Sequence, residues 1–174
     1  MRLIVLAGLP GTGKSTLAAA LAPRLDGIIL NKDTVRAALF PTELVEYSSS
    51  QDDFVVGLML ETAFYLLMKN PRRAVLLDGR TYRQKYQLTA VRMFCERRQI
   101  RCDVIECVCP REVALARLAA DEAAGSHPAR NRNRELYEQQ AASWEGIDGP
   151  KFAADTSGGI EECTSRCLAW LAGL

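Results

Sequence analysis

Apolar and polar positions along the chain follow two alternating rhythms. Short runs rich in leucine and β-branched residues read as strands: Leu3–Ala7, Gly27–Leu30, Ala74–Leu77, Cys102–Cys107 and Lys151–Ala154. Between them, apolar residues recur three and four positions apart. That spacing predicts helices over Lys14–Leu21, Thr34–Leu39, Asp53–Lys69, Gln84–Arg98, Arg111–Ala124, Arg134–Trp144 and Ile160–Leu171. In Asp53–Lys69, Val55, Leu58, Met59, Thr62 and Leu66 share one face, as a core-packed helix requires. Strands alternating with helices predict an α/β fold, with right-handed crossovers stacking helices on both faces of a parallel sheet. Two segments read as loops: Pro41–Gln51, with its serine run, and Gly125–Asn133, a candidate lid with three arginines nearby. There is no internal repeat and no low-complexity tract.

Length and charge narrow the classes. The 174 residues suffice for one domain with a real core and are too few for two, so residues 1–174 are expected to fold as a single unit. Hydrophobic residues make up 48% and charged residues 25%, the balance of an ordinary globular protein. Lysine and arginine total 22 against 21 acidic residues, which argues against a protein built to hold long nucleic acid by counterion release. The six cysteines include no Cys-x-x-Cys pair. With a single histidine, His127, they offer no zinc-ligand spacing and read as reduced, mostly buried thiols. The apolar start Leu3–Ala7 is too short for a signal peptide, and Glu61 and Thr62 interrupt the longest apolar stretch, Phe54–Met68. These features predict a cytoplasmic protein without membrane association.

The sharpest motif lies directly after the first strand. Gly8-Leu9-Pro10-Gly11-Thr12-Gly13-Lys14-Ser15 matches G-x-x-x-x-G-K-[ST] at every fixed position, between an apolar strand and the alanine-rich run Thr16–Leu21. In this setting glycines let backbone amides converge on phosphates, and the helix N-terminus adds partial positive charge. Gly8, Pro10, Gly11, Thr12, Gly13, Lys14, Ser15 and Thr16 are therefore expected to hold ATP. Lys14 would reach the β- and γ-phosphates, and Ser15 would offer its hydroxyl to Mg²⁺.

Two aspartates fit the remaining needs of such a site, each with a plainer reading beside it. Asp78 ends the run Ala74–Leu77 and precedes Gly79; it is either a second magnesium anchor at a strand end or part of an Asp-Gly turn. Asp33 follows the second strand and opens the next helix; it is either an N-cap or the group that accepts a proton from an acceptor hydroxyl. In the second case Arg36, three residues on, would orient the acceptor or its phosphate. Strand C-termini of a parallel sheet line one crevice, so Asp33, Asp78 and the glycine loop are expected to converge there.

The combination GLPGTGKS, then NKDTVR, then LLDG resembles the P-loop kinases of the polynucleotide 5′-kinase and zeta-toxin-like group, with chloramphenicol phosphotransferase and gluconate kinase as looser relatives. The resemblance spans nearly the whole chain in element order, and the phosphate loop is its specific part. It implies a parallel sheet in the order 2-3-1-4-5 with an arginine-bearing lid. It also implies acceptor activation by Asp33 and acceptor binding by Arg36. By the same resemblance Arg117 stacks on adenine, and lid arginines, Arg132 before Arg130, neutralise charge at the γ-phosphate. One departure is Asp121, where nucleoside-monophosphate kinases often carry a second arginine.

Two further segments stay open between site and ordinary structure. Thr156, in the turn Asp155–Gly159, borders the adenine or simply caps the last helix. Arg80 and Arg83, in the positive and aromatic stretch Arg80–Tyr86, clamp an anionic or nucleobase-bearing acceptor or form an exposed first helical turn.

Among function classes, a GTPase is excluded because N-K-x-D does not follow a late strand and D-x-x-G does not follow Asp78. The reading expected is an ATP- and Mg²⁺-dependent phosphotransferase. Its acceptor is a hydroxyl on a small molecule or on a nucleoside or polynucleotide 5′-end, and no obligate protein partner is evident. The alternative is an ATP-hydrolysing switch or ATPase subunit with no phosphoryl acceptor.

Overall fold

The computed structural model describes residues 1–124 and 133–173. Five parallel strands form one sheet: β1 (Arg2–Ala7), β2 (Gly27–Asn31), β3 (Ala74–Asp78), β4 (Arg101–Val108) and β5 (Phe152–Asp155). Their order is β2-β3-β1-β4-β5, the order implied by the resemblance. The helices are α1 (Lys14–Leu21), α2 (Lys32–Leu39), α3 (Ser49–Lys69), α4 (Lys85–Arg97), α5 (Arg111–Ala124), α6 (Arg134–Ala142) and α7 (Ile160–Ala172).

β1 is apolar at every position from Leu3 to Ala7 because both of its faces are covered. Leu3, Val5 and Ala7 point to the layer of α3 and α4, where they meet Val55, Met59, Leu67 and Leu88. Ile4 and Leu6 point the other way, to Leu17 and Leu21 of α1 and to Cys163, Cys167 and Leu171 of α7. Among the described residues, no helix is long and apolar enough to cross a membrane.

Three helix boundaries differ from the pattern-based expectation by two residues or more, and at the two helix starts a capping side chain is the cause. α2 starts at Lys32 rather than Thr34, because the side chain of Asn31 accepts the amides of Asp33 and Thr34 (3.0 and 3.1 Å). Asn31, not Asp33, is therefore the N-cap. α3 starts at Ser49 because Ser48 accepts the Gln51 amide (3.1 Å), so the expected loop Pro41–Gln51 already contains a 3₁₀ turn (Thr42–Leu44) and a helical start. α6 ends at Ala142, two residues short of Trp144.

The buried face of α3 is also rotated from the expected one. Val55, Val56, Met59, Leu60, Ala63 and Leu67 are buried, whereas Leu58 and Thr62 are exposed. The helix is apolar on several sides, so periodicity alone does not choose the stripe that meets the sheet.

Residues at the C-terminal ends of β1, β2 and β3 are brought together by this order. Asn31 pairs in register with Asp78, and Val5 with Leu77, so the loop leaving β1 lies beside the ends of β2 and β3. The layer beneath that loop is set by α1. Leu17→Ala, at a fully buried contact, is expected to lower unfolding free energy by about 2–5 kcal/mol in urea titrations. A change below 1 kcal/mol, roughly that of a surface substitution, would contradict the placement of α1 in the core.

Candidate active site

The loop between β1 and α1 leaves no room for side chains at its key glycines. Gly8 has φ +132°, and a Cβ there would lie 2.4 Å from the Cys107 carbonyl oxygen; Gly11 has φ +75° and would meet the Ala114 carbonyl oxygen at 2.4 Å. Leu17 makes the first turn's bond to Gly13 (2.9 Å), so Lys14, Ser15 and Thr16 form the N-terminal turn of α1, whose amides face the helix end. These donors and the helix dipole make an anion site. The Lys14 side chain is buried against the loop and donates to the carbonyl oxygens of Gly8 (2.8 Å) and Leu9 (2.7 Å).

A cavity of about 430 Å³ opens over this loop, and Pro10, Gly11, Gly13, Lys14, Ser15 and Thr16 line it. Gly8 and Thr12 shape the loop from behind: Thr12 is buried and its hydroxyl donates to the Leu9 carbonyl (2.8 Å). Asp33 lines the cavity from α2, together with Lys32, Tyr47 and Asp52. Phosphate loop and candidate base thus share one space.

Asp33 is held there by charge. Its Oδ1 accepts from Arg36 Nη1 (2.8 Å) and lies 3.6 Å from Lys32 Nζ. Among the described residues, Oδ2 accepts no hydrogen bond. Lys32 Nζ also meets both oxygens of Asp52 at 2.8 Å, and Arg36 Nη2 bonds Asp52 Oδ1. Burial works against the Lys32 charge, and two carboxylates hold it. The result is a closed set of two cations and two anions.

Asp78 stands at the end of β3, 3% exposed, with Gly79 rather than Asp78 itself lining the cavity. Its Oδ2 accepts from Asn31 Nδ2 at 2.7 Å, whereas Oδ1 is buried and without a hydrogen bond among the described residues. A buried carboxylate oxygen left in this way is costly unless an ion or water meets it. Ser15 is exposed in the cavity. One hydroxyl and one carboxylate, with phosphate and water completing the shell, suit Mg²⁺, which rarely uses an all-protein cage. No cluster of three metal-ligating side chains occurs among the described residues. The residues present fit the ion.

Opposite the carboxylates, Arg117 and Thr156 are tied together. Arg117 Nη2 donates to the Thr156 carbonyl (2.6 Å), and the Thr156 hydroxyl donates to the Thr12 carbonyl (2.9 Å). Arg117 lines the cavity, as does Asp121 one turn on. Arg80 and Arg83 are placed elsewhere: Arg80 is buried and bonds Asp53 (2.5 Å), and Arg83 donates to Ser143 Oγ (2.7 Å). Neither lines the cavity. Arg130, Arg132 and His127 lie outside the described residues. Burial pushes the thiols of Cys107 and Cys167 up to about 12, which makes them inert near neutral pH.

Pattern reading missed Asn31, Lys32, Tyr47 and Asp52. Asn31 carried a usable signal, an asparagine just ahead of a helical run. The other three become visible only when α3 folds back against α2.

The family described as AAA domain matches residues 3–145, more than four-fifths of the sequence. The chain belongs to the AAA domain family. No curated protein sequence matches it. Solved structures share the fold of this AAA domain at low identity. APS kinase CysC from Mycobacterium tuberculosis, solved with AMPPNP and APS, has TM-score 0.72 and 16% identity over 98% of this chain and 97% of that one. A gluconokinase from Sinorhizobium meliloti has TM-score 0.68 and 16% identity over 98% and 91%. Kti12 from Chaetomium thermophilum, solved with ADP-AlF3, has TM-score 0.70 and 16% identity over 99% and 98%. The P-loop fold of small kinases is thereby shown for this chain.

For this AAA domain, Lys14→Ala is expected to abolish nucleotide-dependent turnover while the circular-dichroism spectrum stays native. Turnover at the wild-type rate would contradict the role of the loop.

Proposed function

We propose that the chain is a Mg²⁺-dependent phosphotransferase that moves the γ-phosphate of ATP onto the hydroxyl of a small molecule or of a nucleoside or nucleic-acid 5′-end. The observation that carries this reading is the position of Asp33. Its carboxylate is not used to cap α2, since Asn31 does that, and it lines the same cavity as the phosphate loop. A switch that only hydrolyses ATP has no need of a carboxylate held for an incoming alcohol. The kinases among the structural neighbours support the reading, whereas Kti12 illustrates that the fold by itself does not decide it.

The chemistry follows from the layout. Amides of Lys14, Ser15 and Thr16 would bind the β- and γ-phosphates, and the Lys14 ammonium would swing from its carbonyl contacts to the same oxygens. Bound Mg²⁺, held through Ser15 and Asp78, would neutralise charge on the phosphates. The acceptor oxygen forms its bond to phosphorus as the bond to the ADP oxygen breaks. Asp33 Oδ2 takes the acceptor's proton, and Arg36 keeps the carboxylate oriented. Arg117 and Thr156 would border the adenine, and Arg132 would meet the γ-phosphate from the lid. The six free thiols suit a reducing compartment, and we place the chain in the cytoplasm.

Asp33→Asn tests the reading. ATP affinity by calorimetry should stay within about twofold, while acceptor phosphorylation falls by roughly 10²–10⁴, the range of a lost general base. Transfer at the wild-type rate would return Asp33 to a structural role.

A further inference from the structure

A second cavity, of about 280 Å³, adjoins the first, and Asp33 and Tyr47 line both. Its other walls are Ala37 and Phe40 at the end of α2, Thr42 and Val45 in the turn that follows, and Arg36. Phe40 is braced edge-on by Phe54, with centroids 6.1 Å apart. Most of this lining is apolar. Both terminal nitrogens of its one cation are committed: Arg36 is 2% exposed, one bonds Asp33 and the other Asp52, and the guanidinium packs against the Tyr47 ring at 5.1 Å, while its Nε is buried without a hydrogen bond among the described residues.

That commitment decides what the cavity accepts. To reach a terminal nitrogen of Arg36 or the ammonium of Lys32, an acceptor carrying a phosphate would have to pull it away from Asp33 or Asp52. It would then leave a half-buried carboxylate uncompensated beside an incoming anion, a like-charge contact that disfavours binding. The two cations and two anions here already cancel. An apolar pocket with a few placed polar groups suits a neutral molecule with an apolar body.

We propose that the second cavity is the acceptor site and that its substrate class is an uncharged alcohol with an apolar body, whose hydroxyl meets Asp33. The inference rests on the phosphotransferase reading and narrows it, because it sets aside nucleic-acid ends and phosphorylated metabolites. Tyr47, held at φ +52°, forms a wall shared by the two cavities.

The test uses the full chain with MgATP and matched acceptors. One pair is thymidine and thymidine 3′-monophosphate, which share a free 5′-hydroxyl and differ in charge; 2-phenylethanol and a 5′-hydroxyl oligonucleotide extend the range. The neutral members are expected to exceed the anionic ones in kcat/KM by at least about tenfold, the lower end of a like-charge penalty. Ala37→Phe, which fills the cavity, is expected to raise the KM of the best neutral acceptor by about tenfold or more with ATP affinity unchanged. Equal or better use of the anionic acceptors, or an unchanged KM in Ala37→Phe, overturns the inference and leaves the phosphotransferase reading standing. If no acceptor is phosphorylated and ATP turnover stays at its acceptor-free rate, the phosphotransferase reading falls and this inference with it.

Discussion

Asn31 makes two commitments from one side chain, and the geometry of the site depends on them. Its carbonyl oxygen accepts the amides of Asp33 and Thr34, which fixes the start of α2. Its amide nitrogen donates to Asp78, at the end of the adjacent strand. The proposed base and the proposed metal carboxylate are therefore set relative to each other through a single planar group, on rigid elements. Neither aspartate has to serve as a cap, and each keeps one oxygen without a hydrogen bond among the described residues. Sites built on strand ends and helix starts hold their geometry better than sites built on loops.

Charge organisation follows from that arrangement. The phosphate end of the cavity offers the N-terminal turn of α1 and its helix dipole, which favour a polyanion. At the end proposed for the acceptor, the charges of Lys32 and Arg36 are matched by those of Asp33 and Asp52. On the proposed reading, the two ends of one crevice select opposite kinds of ligand. Low exposure at Arg36 and Lys32 strengthens the pairings, since water does not screen them.

The fold was legible because its signals are local. Five apolar runs and the helical spacing between them place every strand to within about two residues, and the glycine loop has a strict spacing that few other structures demand. Helix starts were less legible where a cap competes with a neighbour. Asp33 and Asn31 are both good N-cap residues, and only the chain's path out of β2 selects Asn31. The buried stripe of α3 was misread for a similar reason: apolar residues on several faces leave the choice to tertiary packing. Asp52 and Tyr47 carry no local signal at all. They reach the site because α3 packs on α2, a contact between residues about fifteen positions apart in the chain. Arg80 and Arg83 show the converse: a basic stretch that the sequence leaves open between a ligand clamp and an exposed helical turn engages Asp53 and Ser143.

The central claim is that the γ-phosphate ends on carbon-bound oxygen and not in water. Phosphorus-31 NMR of the full chain with MgATP and a mixture of neutral alcohols follows that fate directly. The account predicts a phosphomonoester resonance that grows in step with ADP. Growth of inorganic phosphate alone, at the same rate with and without the alcohols, would contradict it.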